Sequence, residues 1–218
     1  MNNKDKIIEV TFLLSLKNGF DRVSIKQIQE GTELSPGSIY YYFKDKDDIL
    51  VTMLNKYFVD NISLFKEFIR NSGDSLIDKL KIAFIATTTS FNKSEIHSSS
   101  STIPEFNYED YFVLLTSVFH QYSEARNIFH EVQHDLNDFY GELIQEAIEK
   151  GEIRDDIDIK TLNIFIQSLI KGHITLLAQS NFSFEEIVEA DVSMIWEVIK
   201  KKNCVKNTEN AEVSIKMS

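Results

Sequence analysis

Residues 24–46 read SIKQIQEGTELSPGSIYYYFKDK, and this stretch decides the fold. Ser24 followed three residues later by Gln27 fits a capping box, so a helix is predicted to open at Ser24, with Ile25 and Ile28 on its buried face. Ser35 is a second N-cap, and Pro36 falls at the first helical position, where its missing N–H costs nothing. A third start follows at Asp45, with Asp47 and Asp48 in the first turn, where the helix dipole favours negative charge. Three helix starts in so short a span mean short helices with sharp corners, the local pattern of a helix-turn-helix.

Working outward, the whole chain reads as all-α. It has 218 residues, 43% of them hydrophobic, enough to bury a sizeable core. Only seven glycines and two prolines are present, too few for the turns that many strands require. A single cysteine, Cys204, excludes an internal disulfide and suits a reducing cytosol. The first residues lack the apolar core of a signal peptide, and the most apolar window, Leu162 to Leu177, is interrupted by Asn163, Gln167, Lys171 and His173. No membrane span and a cytoplasmic location are therefore expected. The net charge of −11 looks wrong for a nucleic-acid binder, but it is unevenly spread. Residues 1–50 hold seven Lys/Arg against eight Asp/Glu, and the remainder holds 16 against 26. The acid lies almost wholly outside the proposed reader, where local cations decide phosphate contacts.

Apolar periodicity predicts a first helix over 4–18 with Gly19 as its stop. After Asp45 it predicts one long helix to about Asn71, with Met53, Tyr57, Phe65 and Ile69 on its inner face. Asp74 is the expected cap of the next, to about Phe91. Residues 92–107 read as a loop. Helices follow at Tyr108–Tyr122, Ser123–Lys150 (with Gly151 as the residue after it), Ile159–Gln179 and Phe184–Lys201. The domain division is 1–46 for the helix-turn-helix, 47–203 for a larger helical body, and 204–218 for a polar, disordered tail.

The string Leu34-Ser35-Pro36-Gly37-Ser38-Ile39-Tyr40-Tyr41-Tyr42-Phe43-Lys44-Asp45-Lys46 closely resembles the DNA-binding domain of the TetR family of transcriptional regulators. So do Ile7 through Gly19-Phe20, Ser24-Ile25-x-x-Ile28 and Ile49-Leu50. Gly151-Glu152-Ile153 is similar to the family's step into its last two helices. The sequence departs from the pattern at Ser15 (usually Phe), Gln29 (usually Ala) and Thr32-Glu33 (usually Ala-Gly). Glu33 loses glycine's access to positive φ in the turn that aims the second helix.

The resemblance implies a repressor that binds a palindromic operator in double-stranded DNA as a homodimer and is released by a small molecule. Ser35–Phe43 would lie in the major groove, with Pro36, Gly37, Ser38 and Tyr41 at base edges. Tyr40, Tyr42 and Lys46 would meet phosphates, as would the start of the Ser24 helix, and Lys26 and Gln27 would reach in from the side. Three consecutive tyrosines cannot all point inward, so at least one must be exposed. The body would enclose a pocket for an apolar or cationic effector, with Phe65, Phe84, Thr87, Phe91, Tyr111, Phe112, Phe119, His120, Phe129 and Gln133 as lining candidates. The last two helices would form the dimer interface through Leu162, Phe165, Ile166, Leu169, Gly172, Ile187, Ile195 and Trp196, since a helix apolar on two sides is either central or covered by a second chain. No cofactor or metal is called for.

One motif points elsewhere. His130-Glu131-Val132-Gln133-His134 matches H-E-x-x-H, whose two histidines one turn apart can share a zinc ion with the glutamate as general base. A zinc-dependent hydrolase or metal-responsive protein is the alternative this motif raises, although no downstream third ligand stands out.

Overall fold

The computed structural model describes residues 2–86, 108–179 and 181–201, and they contain helices and connecting turns with no strand among them. Helix α1 (Asn3–Asn18) opens on Asn2, whose side-chain oxygen accepts the Asp5 N–H at 2.8 Å, and ends at Gly19, whose positive φ (80°, ψ 142°) favours glycine. A 3-10 turn, Phe20–Arg22, leads to α2 (Ile25–Thr32) and α3 (Pro36–Tyr42). The Ser24–Gln27 capping box forms, Ser35 accepts the Ser38 N–H, and Asp45 caps α4 (Lys46–Leu54).

The expected long helix after Asp45 is not uniformly α. α4 passes through a π-turn at Asn55–Val59, with the Asp60 N–H reaching back to the Asn55 carbonyl, before α5 (Asp60–Asn71) continues it. The body adds α6 (Leu76–Ala86), α7 (Tyr108–Gln121), α8 (Ser123–Glu149), α9 (Ile159–Gln179) and α10 (Phe184–Ile199). Ser75, not Asp74, opens α6: its hydroxyl accepts the Asp78 N–H at 3.2 Å. At the far end of α8, Gly151 (φ 68°) lets the Gly151 and Glu152 N–H groups turn back onto the Ile148 and Ala147 carbonyls.

Two apolar clusters hold these helices. The first joins α1–α4 to the neighbouring parts of α7 and α8, with Phe12, Phe20, Ile28, Ile39, Phe43 and Tyr57 packed against Tyr111, Leu114 and Val118. Ser15, where the resemblance leads one to expect Phe, is buried with its hydroxyl donating to the Thr11 carbonyl at 2.6 Å. The second cluster joins α5, α6 and α8–α10 around Leu80, Phe84, Phe139, Ile144, Leu162 and Ile166.

These clusters correct part of the expected dimer face. Leu162, Ile166, Ile187 and Ile195 are buried within the subunit and cannot meet a partner. The apolar side chains that α9 and α10 turn outward are Ile164, Met194, Trp196 and Val198. Phe165 and Leu169 are half-buried beside the core, and Gly172 is exposed with nothing within 4 Å of where a Cβ would stand. The sequence pattern marks α9 as apolar on two sides but does not say which side the body covers.

Candidate nucleic-acid interface and cavity

The turn between α2 and α3 is built by the residues that depart from the usual pattern. Glu33 adopts the left-handed region (φ 58°, ψ 22°). That conformation is strained for a residue with a Cβ. Thr32, fully buried, braces the turn: its hydroxyl donates to the Ile28 carbonyl at 2.7 Å and accepts the Leu34 N–H at 3.4 Å. Ile39 and Phe43 anchor α3 from below, so the opposite side of this seven-residue helix faces out. Tyr40 and Tyr41 are 56% and 81% exposed, whereas Tyr42 is half-buried against the core, its ring edge-on to Tyr41 at 5.0 Å. The outward tyrosines are thus the first two of the three.

Pro36 and Gly37 are exposed, and Ser38 shares a 2.9 Å hydroxyl contact with Ser35. A Cβ placed on Gly37 would meet only the Ser35 hydroxyl, at 3.9 Å. Nothing described inside the subunit therefore requires glycine there. Ser24 and Gln27 are occupied with each other in the cap, and Lys26 extends outward within 3.9 Å of Glu30. Lys46 corrects the expectation of a free phosphate contact. Its ammonium donates to the Asp21 carbonyl at 3.1 Å and lies 4.4 Å from the centre of the Phe20 ring. Burial lowers its pKa, with Asp21 and Asp47 opposing the shift. Lys46 ties α4 to the α1–α2 loop, while Lys44, which the sequence reading passed over, is the exposed cation beyond α3.

Above this domain, α5–α9 enclose a cavity of about 470 Å³. Phe58, Phe65, Phe112, Phe119, Phe129 and Leu136 supply much of its wall, with Phe58 and Phe129 4.8 Å apart and Phe119 edge-on to Phe129 at 5.5 Å. Tyr111 and Gln133 line it as well. Phe84 and His120 are corrections. Phe84 packs in the second core cluster, 5.6 Å from the buried His173 ring, and His120 is exposed at the end of α7. Thr87 and Phe91 lie outside the described residues. Missing from the sequence reading are Asn61, Thr116, Gln167 and Lys171, polar groups that three separate helices, α5, α7 and α9, bring to the cavity lining. No periodicity within a single helix could have signalled them.

Polar side chains of α8 and α9 form a ladder beside the cavity. The Gln133 amide donates to Gln167 at 2.7 Å and Asn137 at 3.0 Å. Gln167 in turn donates to Asn137 and Asn163, both at 2.7 Å. At the top, the Lys171 ammonium donates to the Gln133 carbonyl oxygen at 2.5 Å. Lys171 is exposed as a residue, yet desolvation by the surrounding protein lowers its pKa.

The cavity touches the DNA-reading domain through the π-turn. The carbonyl of Tyr57 accepts two side-chain donors, the Tyr111 hydroxyl at 2.6 Å and the Asn61 amide at 2.7 Å, and both residues line the cavity. The Tyr57 ring stacks on Phe12 of α1 at 4.1 Å, and the neighbouring Lys56 pairs with Asp5 at 2.9 Å.

Residues 7–53 match the family of bacterial regulatory proteins named for TetR. The chain carries a TetR-family DNA-binding domain. It is a DNA-binding transcriptional regulator, and its helical body follows the same plan. Among its relatives, the HTH-type transcriptional regulator QacR of Staphylococcus aureus is 23% identical over 84% of this chain and 90% of its own. The HTH-type transcriptional repressor AcnR of Corynebacterium diphtheriae is 22% identical over 80% of each. In fold, a TetR-family regulator from Cytophaga hutchinsonii superposes with a TM-score of 0.72 at 16% identity, over 91% of this chain and 95% of the other. Within this chain the two histidines of the H-E-x-x-H motif go separate ways. His130 lies at the cavity beside Phe119, and His134 sits in solvent, 3.0 Å from Asp138. No group of three metal-ligand side chains gathers around them among the described residues. Nor is any described helix long and apolar enough to cross a membrane.

Proposed function

We propose that this chain is a homodimeric repressor of a palindromic operator, read by α3, and that a small molecule in the cavity between α5 and α9 releases it. The observation that carries the reading is the Tyr111–Tyr57 contact. One hydroxyl belonging to the cavity wall holds a backbone carbonyl whose own ring rests on α1 of the reader. A ligand that favours a different position of Tyr111 or Asn61 acts directly on the π-turn, and π-turns recur at functional sites. The shift is then one of populations: the effector stabilises a state in which the two reading helices no longer fit successive major grooves, roughly 34–36 Å apart.

At the reading surface, Tyr41, Tyr40 and the Pro36–Gly37 backbone are available to DNA, with Lys26 and Lys44 positioned for phosphates. The outward row of Ile164, Met194, Trp196 and Val198, with Phe165, Leu169 and Gly172, supports a partner helix pair against α9 and α10. An exposed apolar group of this kind marks an interaction site.

The test is fluorescence anisotropy with duplexes from the DNA flanking the chain's own gene, beside light scattering of the free protein. A dimer that binds one palindromic segment, and loses it in Tyr41→Ala, supports the reading. A monomer, or a protein that binds no segment at low salt, refutes it.

A further inference from the structure

We propose that the cavity takes an amphiphile with an apolar body and one carboxylate head, and that Lys171 binds the head. This deepens the reading of the cavity as the effector site and rests on it.

The argument starts from the charge balance of the wall. Among the described residues lining the cavity, Lys171 alone carries a fixed charge, and none is an aspartate or glutamate. The acidity of the body as a whole does not reach inside, so the expectation of a cationic ligand finds no carboxylate to hold one. The Lys171 ammonium has no carboxylate within ion-pair distance among the described residues, and its described partner is the neutral Gln133 oxygen.

That partner is fixed in orientation. The Gln133 nitrogen already donates to Gln167 and Asn137, so its oxygen is the end left for Lys171. Turning the amide over would set an NH2 group against an ammonium and break two donor contacts with the ladder. The ladder therefore holds the ammonium in one place, with two of its three N–H groups left to donate. Desolvation at this position already weighs against the charged form. An incoming carboxylate relieves that penalty and accepts both remaining N–H groups, whereas a neutral head leaves the charge uncompensated and a cation adds repulsion. A single ammonium matches a single negative charge, which favours a carboxylate over a phosphate dianion. Beyond the head, Phe65, Phe112, Phe129 and Leu136 offer an apolar chamber of drug-sized volume.

The experiment is isothermal titration calorimetry of the full chain with decanoate, 1-decanol and decyltrimethylammonium, each kept monomeric. The wild type is expected to bind decanoate roughly ten- to a hundred-fold more tightly than decanol, and the cation more weakly than either. Lys171→Met should bring decanoate down to the level of decanol and leave decanol unchanged. Gln133→Glu, which gives Lys171 an internal counter-charge, should also weaken decanoate selectively. The proposal is overturned if decanol or the cation binds as tightly as decanoate, if Lys171→Met leaves decanoate unaffected, or if no probe binds. Leu136→Trp, which fills the chamber, separates the two levels of the argument. If it blocks all probes but binding ignores charge, the cavity reading stands and the head-group assignment falls. If binding survives it unchanged, the cavity is not the site and both fall.

Discussion

Tyr57 offers a substitution whose predicted sign runs against intuition. Its side chain is almost fully buried in the seam between reader and body, stacked on Phe12, yet its hydroxyl has no hydrogen-bond partner among the described residues. A buried hydroxyl without a partner destabilises by about 1–3 kcal/mol relative to one that is satisfied. Tyr57→Phe removes that group and keeps the ring stack. A few atomic contacts are lost with the oxygen, on the order of 0.5 kcal/mol in dispersion. The net expectation is a gain of about 1 kcal/mol, which in a chain of this size raises Tm by roughly 2–4 °C.

Alkaline pH should amplify the difference. Burial, reinforced by Glu9 and Asp5, raises the Tyr57 phenol well above its ordinary value of 10.0. A group whose folded pKa is raised contributes stability that is complete below the unfolded pKa and is lost as pH rises toward the folded one. The wild type therefore loses up to about 1.4 kcal/mol per pH unit through this group above pH 10, and the phenylalanine variant does not. Thermal unfolding followed by circular dichroism at pH 7.5 and pH 10.5 checks both statements. A variant less stable than wild type at pH 7.5 would show that the hydroxyl is satisfied, and the argument from its isolation would fail.

Two further substitutions act on the reading helix. Gly37→Ala should stabilise the free protein by about 0.5–1 kcal/mol, because the subunit leaves open space for a Cβ, while weakening operator binding at least tenfold. Chemical denaturation and anisotropy must therefore move in opposite directions, and an alanine variant that binds like wild type removes close backbone approach as the reason for glycine. Glu33→Gly relieves the left-handed strain of the turn, about 1–2 kcal/mol offset in part by the greater freedom of glycine in the unfolded chain, so a net rise near 0.5 kcal/mol is expected in urea unfolding.

How much could be read beforehand depends on the range of the interaction. The caps at Ser24, Ser35 and Asp45 were legible because each is a side chain bonding to backbone three residues away. The left-handed turn at Glu33 was foreseeable for the same reason, but its brace was not: Thr32 looks like a poor substitute for alanine until its buried hydroxyl is seen on the Ile28 carbonyl. The interruptions Asn163 and Gln167 read as breaks in an apolar helix, yet both are largely buried and face α8, each satisfied by Asn137 or the other. Leu162 and Ile166, on the same helix, are core for that reason rather than interface. Phe84 and Phe65 are indistinguishable as sequence. Both end in the same core cluster, and only the packing of α5, α6 and α9 leaves Phe84 wholly inside it while Phe65 also reaches the cavity.

The charge of the reader bears on how DNA is held. The exposed cation of α2 and the one just after α3 are already paired, Lys26 with Glu30 at 3.9 Å and Lys44 with Asp45 at 4.0 Å, and Lys46 is tied inward. Exposed pairs of this kind contribute about 0–1 kcal/mol, so a phosphate displaces either carboxylate readily. On the proposed reading, what remains on the surface, Tyr40, Tyr41 and backbone N–H groups, would bind DNA without a positive side chain to release counterions. Affinity should accordingly fall gently with salt, and the slope of log affinity against log salt should shrink by about 0.9 for each phosphate contact removed with Lys26→Ala or Lys44→Ala. Tyr41→Ala should lower affinity and leave the slope unchanged. Anisotropy titrations across a salt series separate the two. A steep slope that neither lysine alters would mean that the phosphates are held by cations elsewhere in the chain, and that the reading surface described here is incomplete.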